Sequence, residues 1–287
     1  MIDTVADAPH RRLHERFLLV GLGLLIAVWS LLPIYHMVVL SLTPPREGFA
    51  GHLWPVNPTL ENYVTVITQS DYYLSKFWQQ FGNSVFCAVV ACAMVLACSL
   101  MASFAISRLR PRFGPFVSYL ALVAYFVPAT FLAIPFYQVM GTYGLLGQQL
   151  ALILCVVTFA TPYAIWVLQQ NAHTVPEELD EAAKLDGATP LQMFVLIYVP
   201  LMMPTIIAVG AFALMLSWNE YLYAFLLLSD EARLTIPVML GQFMADDAAP
   251  WPLLMTSGVI YMLPPTALYY VARQFQSSGM MSGSIKG

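Results

Sequence analysis

The chain has 287 residues, 59% of them hydrophobic and only 10% charged, with a net charge of −4 at pH 7 and a mean hydropathy of +0.71. A soluble domain carries roughly 25% charged residues, because its surface must be solvated. The shortfall excludes a soluble globular enzyme and points to a chain that lives in a bilayer, with no nucleic-acid partner expected.

Acids and bases are absent from 17–45, 77–107, 113–176, 187–219 and 248–272. A bilayer core about 30 Å thick takes ~20 helical residues at about 1.5 Å each. Each gap can therefore hold one span, and the longest can hold two. Its break falls at Gly141-Thr-Tyr-Gly144-Leu-Leu-Gly147-Gln-Gln149, where three glycines and two amides interrupt the apolar run. The expectation is an all-α integral membrane protein with six transmembrane helices, at 17–40, 83–107, 116–140, 149–170, 202–227 and 253–275. Lipid leaves backbone groups to be satisfied within the segment, and the alternating ~10-residue strands of a barrel are missing. Prolines 33, 128, 135, 162, 204 and 264 fall inside these spans and are expected to kink helices rather than end them.

An even number of spans puts both termini on one side. Arg11, Arg12, Arg16, Arg108, Arg110, Arg112, Lys184, Arg273 and Lys286 then share that side, against Arg46, Lys76 and Arg233 on the other. The excess of bases makes the termini cytoplasmic by the positive-inside rule. The organisation is a cytoplasmic segment at 1–16, a six-helix domain at 17–275 with an external loop at 43–76, and a cytoplasmic tail at 276–287. The first apolar run is longer than a signal peptide's, and no small-residue cleavage site follows it, so it reads as an uncleaved helix. Cys87, Cys92, Cys98 and Cys155 lie within spans without a CxxC pair and read as small core residues. The five histidines show no ligand spacing, and no metal site is expected.

The longest cytoplasmic loop, 171–198, carries its own helix signals. Thr174 with Glu177 forms one capping-box pattern, Gly187 offers a left-handed stop, and Thr189 with Gln192 forms a second capping box around Pro190. On a 3.6-residue period Val175, Leu179, Ala182 and Ala183 fall on one side, and Glu177, Asp180, Glu181 and Lys184 on the other. A narrow face with two alanines allows close approach to a protein surface, whereas a lipid-binding helix would carry bulkier residues and more bases. Physics alone leaves a docking helix and a solvated connector evenly matched.

Glu181-Ala182-Ala183, three residues, Gly187, nine residues, Ile197, one residue and Val199-Pro200 resemble the EAA loop of ABC importer permeases, with valine at 199 where leucine is usual. Asn83-Ser84, Arg108-Leu109-Arg110, Trp218-Asn219-Glu220 and the glycine-rich end 278–287 resemble the maltose-type carbohydrate permease family. The resemblance runs over nearly the whole chain and implies the type I ABC importer permease fold. It also implies that Glu181, Ala182, Ala183, Gly187, Ile197 and Pro200 belong to the segment that couples to an ATPase. The partners it implies are a second, different permease subunit, two ATP-binding cassette subunits, an extracytoplasmic solute-binding protein and a carbohydrate substrate, in the multi-pass setting of a prokaryotic inner membrane. The tail from 276 would reach between the ATPases or simply be a free terminus.

A phosphate-binding loop requires Gly-Lys-Ser/Thr. The three lysines follow Ser75, Ala183 and Ile285, so no such loop exists. The chain is therefore expected to be a non-catalytic subunit without a cofactor, with ATP and Mg²⁺ on the partner ATPase. Pro44-Pro45, Trp54-Pro55 and Asn57-Pro58 favour an extended external loop suited to docking a solute-binding protein. Sugar rings stack on aromatic faces and their hydroxyls pair with amides and carboxylates. Asn83, Tyr125, Trp166, Trp218, Asn219, Glu220 and Tyr221 are accordingly the candidates for the substrate pathway, Glu220 being the only acid in an assigned span. Aromatics at helix ends also serve as interfacial anchors. Two other readings stand: an ABC permease for polyamines or amino acids, and a lone ion-driven transporter, which would carry buried charge relays and an inverted repeat.

Overall fold

The computed structural model describes residues 8–44, 47, 53–245 and 250–283; Pro45, Arg46, Asp246, Asp247, Lys286 and the end of the tail lie outside them. All regular structure among the described residues is helical. Two compact units are formed, Met1–Tyr72 with Asp246–Ile260, and Tyr73–Ala245 with Tyr261–Gly287.

The first unit holds α1 (Ala8–Ser41), α2 (Glu61–Thr68) and most of α13 (Trp251–Tyr261). Arg16–Ser41 of α1 is long and apolar enough to cross a bilayer, and its side chains from Arg16 to His36 are exposed, as a lipid-facing helix requires. The end of α1 is closed by buried Asn62, whose Nδ2 donates to the carbonyls of Ser41 at 2.9 Å and Thr43 at 2.8 Å. Those are carbonyls that the helix leaves unpaired.

The second unit is built around α3 (Phe77–Phe104), α6 (Gln149–Ala172) and α10 (Met203–Trp218). Their facing residues are small: Ala88, Ala91 and Ser99 on α3, Ala160 and Ala164 on α6, Gly210 and Ala213 on α10, all buried. A Cβ on Gly210 would stand 3.3 Å from Leu96, so the glycine sets how closely α10 approaches α3. Lipid tails provide no hydrophobic drive between helices, and close packing of small residues takes over that role. Cys87 and Cys155 are buried in this packing, Cys92 is half-buried and Cys98 is exposed.

Among the described residues, three helices can cross a membrane singly: Arg16–Ser41, Tyr72–Leu109 and Gln149–Ala172. Two further helix pairs pass the same test only when each bent pair is counted as one span. The first, α4 (Gly114–Tyr125) with the segment Ala129–Thr142 that contains α5 (Ala133–Thr142), turns by 90°; the second, Pro190–Leu201 with α10, turns by 80°. The sixth expected span does not form one continuous apolar helix. Its segment breaks at Met262 between α13 and α14 (Leu263–Gly283), ahead of Pro264-Pro265, and α14 turns polar from Arg273.

The proline expectation is corrected on this point. Pro33 and Pro162 stay inside helices and Pro135 sits in the first turn of α5, but Pro128, Pro204 and Pro264 stand at helix boundaries. A proline lacks the N–H its turn would use and crowds the preceding carbonyl, so where flanking packing allows it the helix stops. The glycine break between α5 and α6 forms as expected, with Gly144 at φ +66° and Gly147 at φ +77°. Helix α14 continues through 276–283, into the stretch read as a tail.

Candidate functional site

The loop after α6 folds into α7 (Glu177–Leu185), a turn at Gly187, α8 (Pro190–Met193), a π-helical turn at Phe194–Tyr198 and α9 (Val199–Leu201), which leads to α10. Its first cap differs from the capping box read in the sequence. Thr174 Oγ1 donates back to the Asn171 carbonyl at 2.7 Å, α7 begins after Pro176, and Glu177 becomes its first residue. Glu177, Glu178 and Asp180 crowd the first turn and Lys184 the last, which suits the helix dipole. At the other end Ala188 N donates to the Ala183 carbonyl at 2.9 Å and Gly187 N to Lys184 at 3.1 Å. With Gly187 at φ +79°, this is a Schellman stop. The second capping box forms as read, with Gln192 N donating to Thr189 Oγ1 at 3.3 Å and Thr189 N to Gln192 Oε1 at 2.8 Å.

The faces of α7 are not those that periodicity suggested. Asp180, read as solvent-facing, is buried, whereas Leu179, Ala182 and Leu185 are exposed, Leu185 by 89%. Val175 is buried and Ala183 half-buried on the inner side; Glu181 is exposed. The cause is an arginine in the π-helical turn Ala105–Leu109 that follows α3. Arg108 Nη1 meets Asp180 Oδ2 at 2.8 Å, with the two side chains only 5% and 9% exposed. Arg108 Nη2 also donates to the carbonyls of Ala172 at 3.0 Å and Val175 at 2.6 Å. Arg110, in the left-handed region at φ +50°, pairs with Glu177 at the surface. Removing one member of a buried pair strands the other charge, at a cost of about 3–5 kcal/mol.

Neither Arg108 nor Asp180 stood among the sequence candidates for this loop. The available signals were the Arg-Leu-Arg end of the second span and one acid too many on a short helix. What carries α7 outward is thus a short strip of Leu179, Ala182 and Leu185 flanked by Glu178 and Glu181. Ile197 is half-buried and Pro200 exposed in the segment that climbs back toward α10. Tyr198 between them is buried, its hydroxyl 2.8 Å from that of Ser103 on α3.

A cavity of about 560 Å³ opens beside this loop, lined by Arg108, Arg110, Ser118, Trp166, Gln169 and Glu177 among others. Ser118 Oγ donates to Gln169 Oε1 at 2.7 Å, tying α4 to α6 across it. Trp166 is linked through Tyr163, with ring centroids 6.2 Å apart, to Tyr125 at 5.0 Å from the same ring. Tyr125 lies half-exposed at the 90° bend.

The remaining pathway candidates gather at the end of α10. Trp218 is buried, stacked on Tyr261 at 5.0 Å and edge-on to Phe81 at 5.7 Å. Glu220 is not inside a helix, as the span drawn to 227 implied. It lies in the break before α11 (Leu222–Leu227), where its Oε1 accepts from Tyr223 N at 2.8 Å. Asn219 and Tyr221 are exposed on either side of it, and Tyr221 stacks on Phe225. Asn83 stands apart from them, its Nδ2 bonded to the carbonyls of Ala232 at 2.9 Å and Leu234 at 2.8 Å. It braces the loop ahead of α12 (Ile236–Met244).

Residues 94–281 match the model of the binding-protein-dependent transport system inner membrane component. The chain belongs to that family. Members are inner-membrane components, and the matched stretch runs from within α3 through the loop and α10 into α14. The chain is 28% identical to the trehalose transport system permease protein SugB of Mycobacterium tuberculosis, over 93% of this chain and 96% of that one. It is 27% identical to the arabinooligosaccharides transport system permease protein AraQ of Halalkalibacterium halodurans, over 91% and 93%. The fold resembles the crystal structure of a bacterial ABC transporter involved in import of the acidic polysaccharide alginate, with a TM-score of 0.76 and 21% identity over 96% of this chain and 99% of that one. The type I permease fold follows, and family membership displaces the reading as a lone ion-driven transporter.

Proposed function

We propose that the chain is the permease subunit of an ATP-driven importer of a disaccharide or oligosaccharide, and that it supplies half of the translocation pathway. The relatives that support this reading are sugar permeases by name. The observation that carries the mechanism is the exposed strip Leu179, Ala182 and Leu185 on a helix rigidly capped at Gly187. A strip of this width fits a groove on a cytoplasmic ATPase, with Glu181 as a polar anchor at its edge.

In this reading six spans place both termini in the cytoplasm, the sixth span being the broken pair α13 and α14. Two ATP-binding cassette subunits hold ATP and Mg²⁺, and closure of their dimer is passed through α7 as a change from inward to outward opening. A second permease faces this one, and a solute-binding protein delivers carbohydrate to the outer loops, including the stretch 43–76. Asn219 and Tyr221, exposed beside the break after α10, are the residues best placed to touch a sugar; Tyr125 is next.

Copurification tests the reading. The complete transporter assembled with Leu185→Asp in this chain is expected to lose its ATPase subunits in detergent while the two permeases remain together. Retention of the ATPases by Leu185→Asp would overturn the assignment of α7.

A further inference from the structure

Covalently, α7 continues from α6 and leads toward α10, so movement of the loop has two obvious routes into the spans. The side-chain bonds follow a third. Arg108, in the turn that follows α3, holds the entrance of the loop through the carbonyls of Ala172 and Val175 and holds α7 itself through Asp180. Ser103, on the last turn of α3, holds the exit of the loop through the Tyr198 hydroxyl at 2.8 Å. Phe104 adds ring contacts at 5.2 Å to both Phe194 and Tyr198.

Both ends of this connection are π-helical. Ala105–Leu109 is a π turn, with Arg110 N bonded to the Ala105 carbonyl, and Phe194–Tyr198 is another, with Val199 N bonded to Phe194. A π turn widens the helix locally and re-aims its side chains, and such turns are concentrated at functional sites. Here one delivers Arg108 to the loop entrance and the other stands at the loop exit. The three guanidinium bonds are charge-assisted and the ion pair is shielded from water, so this connection is stiffer than the exposed Arg110–Glu177 pair beside it.

We infer that the end of α3 is the lever through which the coupling loop moves the spans, with Arg108 as the positioning residue that locks α7 to it. This rests on the assignment of α7 as the ATPase-binding helix. Displacement of α7 then carries α3 with it, and α3 passes the motion to α6 and α10 through the close small-residue packing described above. Without the lock, α7 can follow the ATPase while the spans stay behind, so ATP is hydrolysed without import.

The test uses the complete transporter in proteoliposomes with its solute-binding protein, reading sugar imported per ATP hydrolysed. Arg108→Ala and Asp180→Asn are each expected to lower that ratio about tenfold while the ATPase subunits still copurify. The double variant should be no worse than Arg108→Ala alone, because that change already removes the bond to Asp180. Tyr198→Phe, which removes one hydroxyl from a buried site without changing its packing, should lower the ratio by a smaller factor. A normal ratio in Arg108→Ala, or fully multiplicative losses in the double variant, would overturn the lever. Should Arg108→Ala fail to assemble, Asp180→Asn and Tyr198→Phe decide by the same ratio, a normal value in both counting against it. Loss of the ATPases from Leu185→Asp alongside a normal ratio in Arg108→Ala would remove the lever and leave the α7 assignment standing.

Discussion

Gly187 holds φ at +79°, where a side chain brings Cβ against its own carbonyl at a cost of about 1–2 kcal/mol. Nothing lies within 4 Å of the place a Cβ would occupy, so the requirement comes from the backbone and not from crowding. Gly187→Val is expected to melt the Schellman stop and misdirect α7, cutting uptake by about tenfold relative to ATP hydrolysis. Gly187→Asn, which tolerates the left-handed turn, should stay close to the unmodified protein. Paired uptake and ATPase assays on the two variants check this.

Helix ends provide the next test. Thr189 caps α8 through the Gln192 amide, whereas Thr174, with the same sequence signature, turns its hydroxyl to Asn171 and caps nothing on α7. Thr189→Ala should cost about 1 kcal/mol and speed hydrogen exchange at the Gln192 amide, while Thr174→Ala leaves the first-turn amides of α7 unchanged. Exchange followed by mass spectrometry distinguishes the two. The contrast also shows what a sequence reports of this fold. Three spans were legible because a stretch without charge has few alternatives in a chain this apolar: α1, α3 and α6 stop at Ser41, Phe104 and Ala172, close to the far edges of their gaps at 45, 107 and 176. The bends at 126–128 and 202 were not, since a proline kinks or stops a helix according to what packs around it. The outer strip of α7 was half legible: Leu179 and Ala182 were picked out, but a buried Asp180 reverses the pattern, and its partner Arg108 lies on another helix far away in the chain. Asn83, as an amide, and Glu220, as the only acid in an assigned span, stood out for pathway chemistry, and the backbone bonds that the structure shows them making are not readable from the sequence.

For the molecule as a whole, the two bent helix pairs have the larger meaning. Turns of 90° and 80° interrupt the helical ladder inside segments otherwise apolar enough to cross a bilayer. Irregular backbone at membrane depth is tolerated only against protein or a water-filled cavity, not against lipid. Around the first bend Phe126, Phe131 and Ile134 are exposed by 74%, 77% and 73%, a surface that the proposed second permease would cover. On the proposed function, the subunit's lifetime in a cell would depend on stoichiometry. Synthesised without its companion, the chain should be recognised as an orphan and cleared by membrane proteases, and a pulse-chase experiment should show its half-life lengthening severalfold when the companion is supplied. On the proposed function the first bend would act as a counting device, matching the amount of one half of the transporter to that of the other.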